Sequence, residues 1–197
     1  VFHVLGIIGL IMLVAVYFFL PETLEEERRA ESSILAVFRT FGELLKDRTF
    51  MTIALAQAFI MGSMFAYIAG SPFILQNMYD VTPQQFALIF GMNGIGIILF
   101  AQAAGALSSK MREIDILTIA TFISIVGSVI LAYAVWIAPS LTGVLIGLFF
   151  IVSSVGAVST TAFSLAMNAQ GDRAGSASAF LGLLPFIVGG IVSPLVG

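Results

Sequence analysis

Asn93 sits among Phe86, Phe90, Ile97 and Phe100, residues whose spacing of three and four puts them on one stripe of a helix. One carboxamide among aromatic rings does not activate a nucleophile or carry a proton. It suits the orientation of an amphipathic organic solute whose apolar area the rings accept. The preceding apolar run carries a matching set: Gln57, Met64 and Ser71 recur every seven residues, with Met61 and Tyr67 nearby. Gln57, Met61, Met64, Tyr67, Phe90 and Asn93 are therefore the candidate solute contacts. Gln57 and Asn93 have a second reading, as polar glue hydrogen-bonded across helices. The Met and Phe positions equally suit packing, because spacing alone does not say which face meets water.

Other chemistries lack their residues. No Asp, Glu, Lys or Arg lies deep within an apolar run, so this stretch holds no obvious proton carrier. His3 lies near one end of the first run and reads as an interfacial residue. Cysteine is absent, which removes disulfides, thiolate metal sites and cysteine nucleophiles together. "GMNGIG" at 91–96 lies inside an apolar run, away from the strand-to-helix turn that a nucleotide loop requires. No catalytic constellation, metal centre, cofactor site or basic nucleic-acid surface is expected, and an enzyme is excluded on these grounds.

The elements that must position the candidate residues are membrane spans. Of 197 residues, 59% are hydrophobic and 10% charged, with a mean hydropathy of +1.10, against about 25% charged in soluble domains. Six apolar segments, at about 1–20, 50–76, 85–108, 115–137, 141–167 and 175–197, match the roughly 20 residues needed to cross a bilayer. Backbone in lipid must satisfy its own hydrogen bonds and no run alternates like a barrel strand, so the fold class is all-α and polytopic. Val1 follows no initiator Met, and both ends fall inside apolar runs. The chain therefore reads as a portion of a longer protein.

All eight Lys and Arg residues fall in the connections 21–49, 109–114 and 168–174. The positive-inside rule makes these cytoplasmic and leaves "NMYDVTPQ" and "APS" outside, with Trp136 at an outer boundary. Thr82, Pro83 and Gln85 read as a capping box with proline at the first helical position, and Thr23 with Glu26 has the same box spacing. From Ser33 to Arg48, Ile34, Val37, Phe38, Phe41, Leu44 and Leu45 form one apolar face. That amphipathic helix suits either the membrane interface or the protein's own cytoplasmic surface. Small residues spaced by four, as at Gly143 and Gly147, Gly175 and Ala179, and Ser178 and Gly182, predict close helix packing. Gly156, Thr160 and Ser164 continue that pattern. Pro185, followed by Gly189 and Gly190, should bend or weaken the last span.

"LPETL" after the first span, the amphipathic linker, "GSPFILQNMYDVTPQQFALIFGMNGIG" and "DRAGSASAFLG" together resemble the Bcr/CflA drug-resistance (multidrug efflux) subfamily of the major facilitator superfamily. The resemblance extends over essentially the whole chain and implies helices six to eleven of a twelve-helix protein. Residues 1–20 would be the last helix of the N-terminal bundle, 21–49 a cytoplasmic linker, and 50–197 an incomplete C-terminal six-helix bundle. The implied function is proton-coupled antiport that exports drugs or small amphipathic molecules across the bacterial inner membrane by alternating access. The proton would be the coupling ion, and the partners would be substrate, bilayer and the N-terminal bundle of the same protein. The second, third, fifth and sixth spans would line or approach the cavity.

"GALSSKMREID" at 105–115 loosely resembles the superfamily's gating loop, but Ser108 and Ser109 stand where an acid is expected. Lys110 and Arg112 are the gating candidates there, and Pro185 is a candidate hinge. Two further readings compete: an exporter specialised for one metabolite, such as an amino acid or nucleobase, and a non-transporting membrane assembly subunit.

Overall fold

The computed structural model describes residues 2–20 and 34–196. The Thr23–Glu26 capping box and most of the charged connection lie outside them. Among the described residues every regular element is helical, in two units that divide after Ala36. The first unit contains α1 (Phe2–Phe19), a single apolar helix long enough to span a membrane.

The second unit begins within α2 (Ile34–Leu44) and continues with α3 (Arg48–Pro72), α4 (Pro83–Leu107), α5 (Glu113–Trp136), α6 (Leu141–Ala169) and α7 (Ala174–Val196). These last five are also long and apolar enough to cross a membrane. The amphipathic helix expected to reach Arg48 stops at Leu44. Asp47 belongs to the next helix: its Oδ1 accepts the amides of Thr49 and Phe50, at 3.0 and 3.1 Å, and so starts α3. At the far end of α3, Pro72 cannot donate a helical hydrogen bond, and the chain continues as a π-helical turn over Phe73–Met78. The Thr82 capping box forms as expected, with the Thr82 amide bonded to Gln85 Oε1 at 3.0 Å and the Gln85 amide to Thr82 Oγ1 at 3.3 Å.

Helix α6 forms the axis of this unit and packs against α3, α4, α5 and α7. Residues 151–158 are buried without interruption, which is why this span shows no polar face. Two close approaches require glycine. A Cβ on Gly156 would overlap the Ile97 carbonyl oxygen, and one on Gly147 would lie 2.8 Å from the Leu131 amide nitrogen. Between α3 and α7, Gly62 receives Val188, Gly189 receives Phe65 and Gly70 receives Val196, so these two helices run parallel.

The small-residue spacing in α7 has a different outcome from that in α6. A Cβ at Gly175 or Gly182 would meet no described atom within 4 Å. The buried face of α7 is instead Ala177, Phe180, Leu181, Pro185 and Gly189. Pro185 is buried on this face within a helix assigned continuously through it.

Candidate functional site

Tyr67 on α3 and Asn93 on α4 are both buried, at 6% and 4% exposure, and Asn93 Nδ2 donates to the Tyr67 hydroxyl at 2.9 Å. Each group would be costly to leave unbonded in an apolar interior. Phe90, one turn before Asn93, stacks on the Tyr67 ring with centroids 5.7 Å apart and planes 18° apart. Phe86 lies a further turn along, 6.1 Å from Phe90. Thus Tyr67, Phe90 and Asn93 form one aromatic–amide wall across α3 and α4, while Phe100 of the same α4 stripe packs in the cluster around Phe180.

The wall stands between two cavities. Asn93 lines a groove of about 470 Å³ between α4 and α6, with Ile89, Met92, Leu145, Ile146 and Phe149. Tyr67 lines a smaller cavity of about 240 Å³ bounded by α3, α5, α6 and the end of α7, with Ser71, Ser128, Leu148 and Val196 among its walls. Both surfaces are overwhelmingly apolar. Such a surface takes up apolar area, while a single amide or hydroxyl fixes orientation.

The other candidates lie elsewhere on α3. Met61 and Met64 are half-buried and pack against the apolar cluster around Phe180 and Leu181. Gln57 lies ten residues before Tyr67, about 15 Å along the helix. Its Oε1 is buried without a hydrogen-bond partner among the described residues. Three of the six candidates therefore converge, and Gln57, Met61 and Met64 do not join them.

The basic rim, where Lys110, Arg112 and Arg173 lie, has a different chemistry. Lys110 is exposed. Arg112 makes a two-pronged ion pair with Asp115, at 2.8 Å for both contacts. The hydrogen bond and then the charge of Asp115 raise the Arg112 pKa above its usual value, so the guanidinium stays protonated at any physiological pH. Ser108 and Ser109, where an acid is expected, donate instead to the Gly105 and Ala106 carbonyls of α4.

Sequence reading missed three longer links at this rim. Ser164 on α6 donates to Glu113 Oε1 on α5 at 2.7 Å. Gln170, at the end of α6, donates to Asp47 Oδ2 at 2.7 Å, and Arg173 pairs with Glu43 at 2.9 Å. Each joins residues far apart in sequence, so no local spacing signalled them. The groove residues Leu145, Ile146 and Phe149 were missed for the same reason. Among the described residues no cluster of His, Asp or Glu could hold a metal ion.

The unit is apolar, α-helical and multi-pass, and comparison with known proteins gives its family. Residues 1–194 match the family model of the Major Facilitator Superfamily. The chain belongs to that superfamily, whose members are transporters rather than enzymes. It is 44% identical over its full length to the Uncharacterized MFS-type transporter YdgK of Bacillus subtilis (strain 168), covering 49% of that protein. It is 26% identical, again over 100% of the chain and 49% of the relative, to the Bicyclomycin resistance protein homolog of Haemophilus influenzae. These relatives are consistent with the Bcr/CflA resemblance. The chain thus spans about half the length of the curated relatives it matches. No solved structure matches it.

Proposed function

We propose that the chain is the carboxyl-terminal portion of a proton-coupled antiporter that exports drugs or small amphipathic molecules by alternating access. The observation that carries this reading is the Tyr67–Asn93 hydrogen bond set against Phe90, beside an apolar groove of about 470 Å³. In this reading the groove supplies affinity through apolar area, Phe90 stacks on planar parts of the solute, and the amide–phenol pair sets its orientation. The relative named for bicyclomycin resistance supports a drug as cargo. The basic rim faces the cytoplasm, because positive residues are retained on that side. The proton carrier lies in the other half of the complete protein, in keeping with spans that carry no ionisable group at depth.

The test is Asn93→Ala in the complete protein. Resistance or export should change unequally across a panel of neutral amphipathic compounds, with membrane abundance unchanged. A fall in abundance alone would make Asn93 structural glue and remove it from the site. Collapse of the proton gradient should abolish uphill export; persistence of pumping would overturn proton coupling.

A further inference from the structure

Helices α4 and α5 follow one another in the chain and both pack on α6, yet they make little contact with each other. Towards the basic rim the gap between them is an apolar groove of about 220 Å³. Ala103 and Ala104 of α4 and Ala120 of α5 line it, and Ala157 of α6 forms its floor. Small side chains at these positions keep the gap open, while Phe100, Leu107 and Ile119 border it. From Phe100 to Leu107 it runs about 10 Å along α4, enough for several methylene groups laid end to end.

The groove ends at the turn 108–112. There the Lys110 amide bonds to the Leu107 carbonyl at 2.8 Å, which holds Lys110 just beyond the last groove residue of α4. Lys110 is exposed and forms no ion pair among the described residues. The acids nearest in sequence are engaged elsewhere, Asp115 with Arg112 and Glu113 with Ser164. Ser108 and Ser109 are turned to the carbonyls of α4. The turn thus presents an ammonium without a compensating carboxylate at the mouth of an apolar slot.

An empty slot forfeits the dispersion contacts of its lining, and water finds no polar partners there to hold it. An acyl chain fills it. The lipid that supplies the chain then has its headgroup at the level of the turn. A zwitterionic headgroup brings its own cation, whereas an anionic one gains from a lysine at the membrane surface. We propose that the α4–α5 groove is a binding site for an anionic phospholipid, with one acyl chain between the helices and the headgroup phosphate on Lys110. The inference needs only that this rim lies at a membrane surface, and it does not rest on the export reading.

The test titrates the complete protein in detergent with phosphatidylglycerol or with phosphatidylcholine of the same acyl chains. Native mass spectrometry then measures the affinity of the first lipid retained. The parent should hold phosphatidylglycerol more tightly. Lys110→Gln should weaken that lipid about 5-fold, the contribution of one lysine near an anionic surface, and leave phosphatidylcholine unchanged. Lys46→Gln, which removes an exposed lysine elsewhere on the rim, should change neither. Ala103→Phe puts a ring into the groove and should weaken both lipids by a similar factor. Ile119→Phe, at a position 49% exposed on the other side of the groove, makes the same test if the first variant fails to fold. Equal affinity of the parent for the two lipids would overturn the site. So would an equal effect of Lys46→Gln, which would mean diffuse attraction to the rim, or unchanged binding when the groove is filled. Displacement of the lipid by an equal concentration of inorganic phosphate would show a free-anion site and overturn it too. Transport is not measured, so the result is separate from success or failure of the exporter reading.

Discussion

The wall on α3 and α4 and the basic rim both hold helices together through polar side chains, but in opposite ways. At the wall the groups are neutral, buried and bonded to each other across helices: Asn93 to Tyr67. At the rim each link has a charged, partly wet partner, and Glu43 is shared between Arg39 and Arg173. The difference follows from the medium. In a bilayer interior a neutral hydrogen bond satisfies both groups, whereas a charge at the helix centre costs about 2.5–3.5 kcal/mol even on insertion scales. At a rim, water and headgroups share the load, and ionised groups can form weak links that open.

The largest effect should come from moving a charge across that divide. Asn93→Asp exchanges one amide for a carboxyl and places it beside Tyr67 in the buried wall. The complete protein should lose about 3 kcal/mol of stability at neutral pH. Thermal unfolding in detergent at neutral pH should show that loss as a lowered melting temperature. The mirror change at the rim, Asp115→Asn, should leave the melting temperature unchanged. If Asn93→Asp were equally silent, the wall would be as wet as the rim and the contrast would fail.

A smaller effect is expected from removing one bond without adding charge. Tyr67→Phe keeps the ring that stacks on Phe90 but leaves the Asn93 amide unpaired. Interhelical hydrogen bonds of this kind average about 0.6 kcal/mol and reach about 1.7. The burial of both partners points to the upper part of that range. Denaturant titration of the purified protein measures it. A loss below 0.3 kcal/mol, about half the average for such bonds, would mean that Asn93 finds another partner and does not depend on Tyr67.

The sequence revealed whatever depended on neighbours along the chain. Apolar runs of about 20 residues marked the spans, and the Thr82–Gln85 box formed because both partners lie within one turn. Asn93 stood out as a lone amide among aromatics, but its partner Tyr67 lies 26 residues away on another helix. Helices apolar all round do not announce their rotation. The same limit explains why four-residue spacing of small residues meant close packing at Gly143 and Gly147 but not at Gly175 and Gly182. Asp47 shows a second kind of failure. In sequence it extends the amphipathic pattern of α2, yet its short carboxylate caps α3, and that competing role ends the earlier helix at Leu44.

The smallest effect sharpens the comparison where the two regions look most alike. Ser164–Glu113 is a single hydrogen bond between α6 and α5 at the rim, at 2.7 Å, and its geometry is as good as that of the wall pair. Its surroundings differ. Glu113 is half-buried in the first turn of α5, where the exposed amides of the helix start already favour a negative charge. Water can replace the serine hydroxyl there, as it cannot between Tyr67 and Asn93. Ser164→Ala should therefore cost only about 0.5 kcal/mol, less than Tyr67→Phe, despite the charged acceptor. Because serine carries no charge, that loss should not depend on salt, whereas the loss from Glu43→Gln should shrink as salt screens the Arg173 pair. Denaturant titrations of both variants at low and high salt separate these cases. If Ser164→Ala cost more than Tyr67→Phe, the strength of these links would follow charge and geometry alone, and burial would no longer explain how the two regions differ.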